Sequence, residues 1–341
     1  AAGGKLGLGG AIGSGAFVSA FTKAASLEGN KIVAIAAGEY HSFAIDENGK
    51  LYAAGENRYG ELGFGDKKHR AEFTQVSDLN GKKILVIAAG RNHSLVLDAN
   101  GRAYASGYNE YGQLGLGDNA DRAAFAEIAF LRDKQIARVA AGAYHLLALG
   151  ADGKVYGTGR NWHGELGLND IESRNSFALV TSLEGKKIVA IAAGDFHSFA
   201  LDSDGKLYAA GMNNRGKLGL GAPGERKAFT PVSSLSEKKI VAIAAGDNHS
   251  LAIGADGKVY AAGANRYGQL GLDDKEDRWT FTEVTSFEGK KIIAIAAGRN
   301  HSLALDANGR AYASGYNEYG QLGLGDKKNR DVFTPVPLGN R

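Results

Sequence analysis

The sequence predicts an all-β protein assembled from one repeated unit, and three observations carry that expectation. The first is a fixed period: Gly38, Gly90, Gly142, Gly194, Gly246 and Gly298 lie 52 residues apart, each closing an Ala-Ala-Gly and each followed three residues later by histidine. The second is an Asn-Gly or Asp-Gly dipeptide at one phase of every copy. The third is a composition of 44% hydrophobic residues with 50 glycines and 4 prolines, which suits short strands and tight turns better than long helices. Residues shared by all copies build the unit, whereas residues that differ at equivalent places are free to carry recognition.

Within one copy, residues 31–38 (KIVAIAAG) are β-branched and small and read as a first strand, and His41 to Asp46 (HSFAID) read as a second. Asn48-Gly49 follows, with counterparts Asn100-Gly101, Asp152-Gly153, Asp204-Gly205, Asp256-Gly257 and Asn308-Gly309, the pairs expected in type I′ hairpin turns. Lys50 to Gly55 is the third strand, and after a glycine-rich loop Glu72 to Val76 is a shorter fourth. Four strands per unit predict the blades of a β-propeller, with the alanine-rich first strand suited to the narrow part near a central channel. Residues 1–341 are expected to form a single domain of six complete repeats and an N-terminal half repeat, giving six or seven blades. Shifting residues 1–30 by one period sets Ala1-Ala2-Gly3 on Ala53-Ala54-Gly55 and Phe21-Thr22 on Phe73-Thr74, so this stretch is expected to supply an outer strand.

A formal net charge of +3 gives no general case for nucleic acid or membrane binding. Without cysteine there is neither a disulfide framework nor a thiolate zinc site. No apolar run spans a membrane and no secretory signal opens the chain, so a soluble protein is expected, cytoplasmic, nuclear or exported as an effector.

The shared polar residues read as structural. His41, His93, His145, His197, His249 and His301 share one phase, but a common metal would need them within coordination distance, and each is expected to bond backbone or the following serine of its own blade, as in His41-Ser42. The repeated Gly-x-x-x-x-Gly-Glu/Gln-Leu-Gly, as from Gly107 to Gly115, resembles a phosphate-cradling loop but precedes no helix and no Lys-Ser/Thr pair. Asn57, Asn109, Asn161, Asn213, Asn265 and Asn317 are expected to fix their loops. Adjacent His-Ser pairs on a strand point to opposite faces, so no catalytic triad, metal site or cofactor is expected. Lys82-Lys83, Lys186-Lys187, Lys238-Lys239 and Lys290-Lys291 give the hairpin side a basic character that nearby acids offset, and a solvated, edge-protecting rim is expected there.

Variation concentrates at the opposite ends of the strands. The turns between first and second strands carry Tyr40, Arg91, Tyr144, Phe196 and Arg299, and the loops between third and fourth strands carry Tyr59, Tyr108, Tyr111, Trp162, Tyr267, Tyr316 and Tyr319. Tyrosine, tryptophan and arginine are the enriched anchors of protein interfaces, so these residues are the expected partner-binding set.

The sequence of Ala-Ala-Gly-x-x-His-Ser, Asp/Asn-Gly-Lys/Arg, Tyr-Ala-x-Gly-x-Asn and Gly-Glu/Gln-Leu-Gly resembles the repeat of the regulator of chromosome condensation family over nearly the whole chain. That resemblance implies a β-propeller, usually of seven blades, and a non-enzymatic scaffold whose partner is a small GTPase or its regulator. It equally admits chromatin or nucleic-acid binding through the basic side, and a propeller-type enzyme inhibitor or hydrolase. The uniform spacing leaves no insertion of the kind the family's Ran exchange factor uses, and Trp162 and Trp279 lie too far apart in sequence for the tryptophan cluster of its ultraviolet receptor.

Overall fold

A computed structural model describes residues 6–8, 18–79 and 81–337. Each complete repeat folds as one antiparallel four-stranded sheet with strands in sequence order, giving the six four-stranded blades of a β-propeller. The only helical elements among the described residues are three-residue 3-10 turns.

The chain divides into two compact units of three sheets each. The first unit holds β1 (Ile32–Ala37), β2 (His41–Asp46), β3 (Leu51–Gly55) and β4 (Arg70–Gln75); β5 (Ile84–Ala89), β6 (His93–Asp98), β7 (Ala103–Gly107) and β8 (Arg122–Glu127); and β9 (Ile136–Ala141), β10 (His145–Gly150), β11 (Val155–Gly159) and β12 (Arg174–Leu179). The second holds β13 (Ile188–Ala193), β14 (His197–Asp202), β15 (Leu207–Gly211) and β16 (Arg226–Pro231); β17 (Ile240–Ala245), β18 (His249–Gly254), β19 (Val259–Gly263) and β20 (Arg278–Glu283); and β21 (Ile292–Ala297), β22 (His301–Asp306), β23 (Ala311–Gly315) and β24 (Arg330–Pro335).

The fourth strand begins at Arg70, earlier than the expected Glu72, because Gly55 pairs with Arg70 across an irregularity that skips Ala54. The hairpin turn also differs from expectation. Gly49 is left-handed (φ 80) whereas Asn48 is not, and the Gly49 N–H donates to the Asp46 carbonyl at 2.9 Å while the Asp46 N–H donates to the Lys50 carbonyl at 3.1 Å. That is a type I turn closed by a glycine bulge rather than a type I′ turn. Asp46 selects it, because its Oδ1 accepts the N–H groups of Asn48 and Lys50, both at 2.9 Å.

The core lies between successive sheets. In the first unit Phe43, Ile45, Leu51 and Ala53 pack on Val96 and Tyr104 of the next sheet and on Phe125, and every residue of β3 is buried. Burying a side chain such as Phe43 contributes about 2–3 kcal/mol, and small residues such as Ala44 and Ala53 let the sheets approach. On β1 Ala34 packs on this core whereas Val33 and Ile35 are exposed, and the first residue of the next sheet's first strand, Ile84, is buried in the core.

Near the N-terminus Leu8 is bridged to Glu72 as Phe64 is to Ala124, so Leu8 stands for Phe64 and lies four residues off the 52-residue period, whereas Ala20, bridged to Leu324 as Val332 is to Leu272, keeps that period. The expected alignment of Ala1-Ala2-Gly3 lies outside the described residues.

Candidate functional site

The two loops that carry the variable residues meet because a backbone bond joins them in every sheet. The N–H after the third strand donates to a carbonyl of the first turn, as in Glu56 to Tyr40 (3.0 Å), Tyr108 to Asn92 (2.9 Å), Arg160 to Tyr144 (2.9 Å) and Tyr316 to Asn300 (2.9 Å). The buried asparagine then folds the long loop. Asn57 Oδ1 accepts the Leu62 N–H at 2.9 Å and its Nδ2 donates to the Asp66 carbonyl at 2.9 Å, while Glu61 Oε2 accepts the Tyr59 N–H at 2.8 Å.

The loop glycines serve the contact with the next repeat. Gly112 is left-handed, and a Cβ there would lie 2.3 Å from Asn175 Cα; at Gly115 it would lie 2.5 Å from the Phe177 ring. These positions are filled by protein, which accounts for the glycine pattern without a phosphate.

In the first unit the loops build a continuous run of edge-to-face rings. Centroids are 4.8 Å apart for Tyr59 and Tyr108, 6.0 Å for Tyr108 and Tyr111, 5.4 Å for Tyr111 and Tyr144, and 5.3 Å for Tyr111 and Trp162. Two arginines brace it. Arg91 pairs with Glu39 (2.7 Å) and donates to the Tyr144 hydroxyl (3.0 Å). Burial opposes the charge on Arg91, but Glu39 and the neighbouring tyrosines outweigh it and hold its pKa above the ordinary arginine value. Arg160 is buried, with its guanidinium 5.2 Å from the centre of the Tyr144 ring and 5.1 Å from that of Trp162. Trp162 remains 53% exposed, so the run ends in an open indole. Tyr40 stands apart from these ring pairs and lines a depression of about 310 Å³ with Glu56, Arg58, Tyr59 and Asn92.

The second unit repeats part of this arrangement. Tyr267 and Tyr316 are 4.9 Å apart, Tyr316 and Tyr319 are 5.6 Å apart, and Arg299 pairs with Asp247 at 3.4 Å. Phe196 packs elsewhere, 5.9 Å from the His163 ring and beneath the Lys217 ammonium. Arg160 and Lys217 belong to the loops but lie outside the expected set. Lys217 breaks the Glu/Gln position of its motif, which is a legible signal, whereas Arg160 occupies a position where Glu56, Tyr108, Met212, Ala264 and Tyr316 all occur.

The histidines bond across sheets rather than within one. His41 Nε2 lies 3.0 Å from Ser94 Oγ, and Ser94 donates its proton to the Glu61 carbonyl at 2.8 Å, so the imidazole donates. His197 reaches Ser250 and His249 reaches Ser302 in the same way. A strand side chain faces the neighbouring sheet, and the serine one period further on is the one it meets. Leu146 removes that serine for His93, whose ring nitrogens are buried without a hydrogen-bond partner, and burial pulls the pKa of His93 down to about 4.

On the hairpin side, the Lys82, Lys186 and Lys238 ammonium groups lie over the rings of Tyr104, Tyr208 and Tyr260, and Lys31 and Lys258 pair with Glu47 and Glu283. Part of the basic character is therefore met within the protein.

Comparison with known proteins agrees with this architecture. The RCC1-like domain profile matches residues 3–340. Ultraviolet-B receptor UVR8 of Arabidopsis thaliana is 34% identical over 309 residues, 90% of this chain and 70% of that protein. The Homo sapiens E3 ubiquitin-protein ligase HERC2 is 33% identical over 316 residues, which are 91% of this chain but 6% of the ligase. The crystal structure of Prp20p from Saccharomyces cerevisiae, described with its binding to Gsp1p and histones, is similar with a TM-score of 0.86 and 25% identity, covering 97% of this chain and 83% of that one. The chain belongs to the RCC1-like domain family.

Proposed function

We propose that the chain is a non-enzymatic protein-binding scaffold that engages a small GTPase, or a regulator of one, through its aromatic loops. The observation that carries this reading is the ring run from Tyr59 to the open indole of Trp162, braced by Arg91 and Arg160. Rings held by edge-to-face contacts and cation–π pairs are ordered before a partner arrives, which lowers the side-chain entropy lost on binding. The GTPase class rests on family resemblance. Prp20p, described with Gsp1p and histones, is in keeping with a protein partner.

Chromatin or nucleic-acid binding through the hairpin side is the second reading, favoured by the lysine pairs and weakened by the tyrosines and carboxylates that already hold several of them. Pull-down from native lysate with the unaltered chain, followed by identification of the captured protein and a salt titration, separates the two. Nucleic acid gives a steep loss of affinity with salt because each neutralised phosphate releases counterions, and a tyrosine-centred interface gives a shallow one.

A further inference from the structure

The two tyrosine clusters are one site written twice. Residues 57–60 and 265–268 both read Asn-Arg-Tyr-Gly, Arg91-Asn92 recurs as Arg299-Asn300, and residues 107–112 recur at 315–320 as Gly-Tyr-Asn-Glu-Tyr-Gly. Geometry follows composition. The Tyr59–Tyr108 spacing of 4.8 Å is matched by 4.9 Å for Tyr267–Tyr316, and 6.0 Å for Tyr108–Tyr111 by 5.6 Å for Tyr316–Tyr319. In both, one hydroxyl donates to an exposed carboxylate, Tyr108 to Glu110 and Tyr316 to Glu318. The fold does not require these residues. Other copies place Glu56, Arg160, Met212 or Ala264 where Tyr108 stands, and Arg58, Trp162, Asn214 or Arg266 where Glu110 stands.

Charge identifies what the site accepts. Arg91 and Arg299 are already paired with Glu39 and Asp247. Glu110 and Glu318 have no cation partner among the described residues, so each cluster holds an uncompensated carboxylate among tyrosine rings. The chain's own loops show how such a group is used: Arg91 is held by the Glu39 carboxylate, the Tyr144 hydroxyl and the Tyr144 ring. A planar guanidinium stacks on an aromatic face while bonding a carboxylate, and a lysine ammonium does this less well. The nearby cations Arg58 and Arg266 belong to the clusters' own loops, and Arg266 lies over the Tyr267 ring at 5.8 Å, so that ring already receives a guanidinium.

Building on the binding face described above, we propose that Tyr59, Tyr108, Tyr111 and Glu110 form one arginine-accepting site and Tyr267, Tyr316, Tyr319 and Glu318 an equivalent second. One chain then holds two copies of one arginine-bearing partner segment.

The test is titration of the full chain, ring-labelled with carbon-13 at tyrosine, with the capped peptide acetyl-Gly-Arg-Gly-amide and its citrulline analogue, followed by NMR with assignments from single Tyr→Phe variants. Both clusters should shift with one common affinity, the strand residues Tyr52 and Tyr208 should stay in place, and citrulline, which keeps the shape and loses the charge, should produce no shift. Glu110→Gln should silence the first cluster and Glu318→Gln the second. Response of one cluster alone overturns the claim of two sites; silence of both, or an equal response to citrulline, overturns the arginine chemistry. Silent tyrosines together with loss of partner capture in the Tyr59→Ala/Trp162→Ala/Tyr267→Ala chain would leave the binding face standing and remove this proposal. Unchanged capture would remove the face itself.

Discussion

Lys217 leaves Arg215 without the backbone hydrogen bond that other copies make at the same position. Glu61 accepts the N–H of Tyr59 at 2.8 Å and Gln269 that of Tyr267 at 3.0 Å, but an ammonium cannot accept, and Arg215 has turned to the left-handed region at φ 61. Lys217 is fully buried, donating to the Asp247 carbonyl at 3.0 Å and Asn248 Oδ1 at 3.2 Å. Burial pulls its pKa down from 10.5 to about 8, against the opposing pull of Asp195 and Asp247.

Between pH 8 and 10.5 the folded chain has released this proton and the unfolded chain has not. The unfolded state binds more protons there, so stability rises with pH across that window. Lys217→Gln should remove the rise, return an acceptor to the Arg215 N–H and raise stability at pH 7 by about 1–3 kcal/mol. Urea unfolding at pH 7 and pH 10 checks this, and a Gln variant less stable than the parent at pH 7 would refute it.

His93 gives a prediction of unusual sign. Leu146 lies fully buried where other copies place serine, so Leu146→Ala should cost about 2–4 kcal/mol as a core truncation. Serine would ordinarily be worse than alanine in such a site. Here Leu146→Ser should be more stable than Leu146→Ala by about 1 kcal/mol, because the new hydroxyl can accept from His93 and donate to the Gln113 carbonyl, as Ser94 does for His41 and Glu61. Thermal unfolding of the two variants decides it.

Acid should weaken the fold through the same group. Burial lowers His93 from 6.5 to about 4, so between these values the unfolded chain binds a proton that the folded chain refuses. Stability therefore falls as pH drops through that window, and His145 and His249, pulled down to about 3 by burial, extend the loss further. A urea midpoint that stays constant from pH 7 to pH 4 would contradict this.

Tyr208 and Tyr260 occupy one position in two copies and should respond differently to loss of the hydroxyl. Tyr208 donates to Asp202 at 3.0 Å, whereas Gly254 replaces the equivalent aspartate and leaves the buried Tyr260 hydroxyl without a partner. Tyr208→Phe should cost about 1 kcal/mol and Tyr260→Phe nothing, or stabilise. Adding the missing carboxylate by Gly254→Asp requires the Asp256 side chain to move, since a Cβ at Gly254 would lie 2.5 Å from Asp256 Oδ1.

The strands and their order are legible because the period repeats the same signals at Gly38, Gly90 and onward, and the role of the loop asparagines follows from their presence in every copy. The turn type is not legible from Asn48-Gly49 alone, because the Asp46 carboxylate organises the turn from the strand end. The partner of His41 escapes the sequence because adjacency points to Ser42 and hides Ser94, one sheet away in space. The aromatic positions can be read from sequence, but their stacking and the insertion of Arg160 between Tyr144 and Trp162 depend on how neighbouring sheets bring their loops together.

The most direct measurement compares partner binding by two altered chains, each shown to be folded by circular dichroism. In the first, Tyr59, Trp162 and Tyr267 become alanine, which removes ring contacts worth about 0.5–1.5 kcal/mol each and leaves the sheets intact. In the second, Lys82, Lys186, Lys238 and Lys290 become glutamate. Loss of central anchors worth about 2 kcal/mol or more each should abolish binding in the first chain. The second should bind as the parent does. Full binding by the aromatic variant, with loss in the lysine variant and a salt slope reduced by about one unit per lost phosphate contact, would place the interface on the hairpin side and contradict the account.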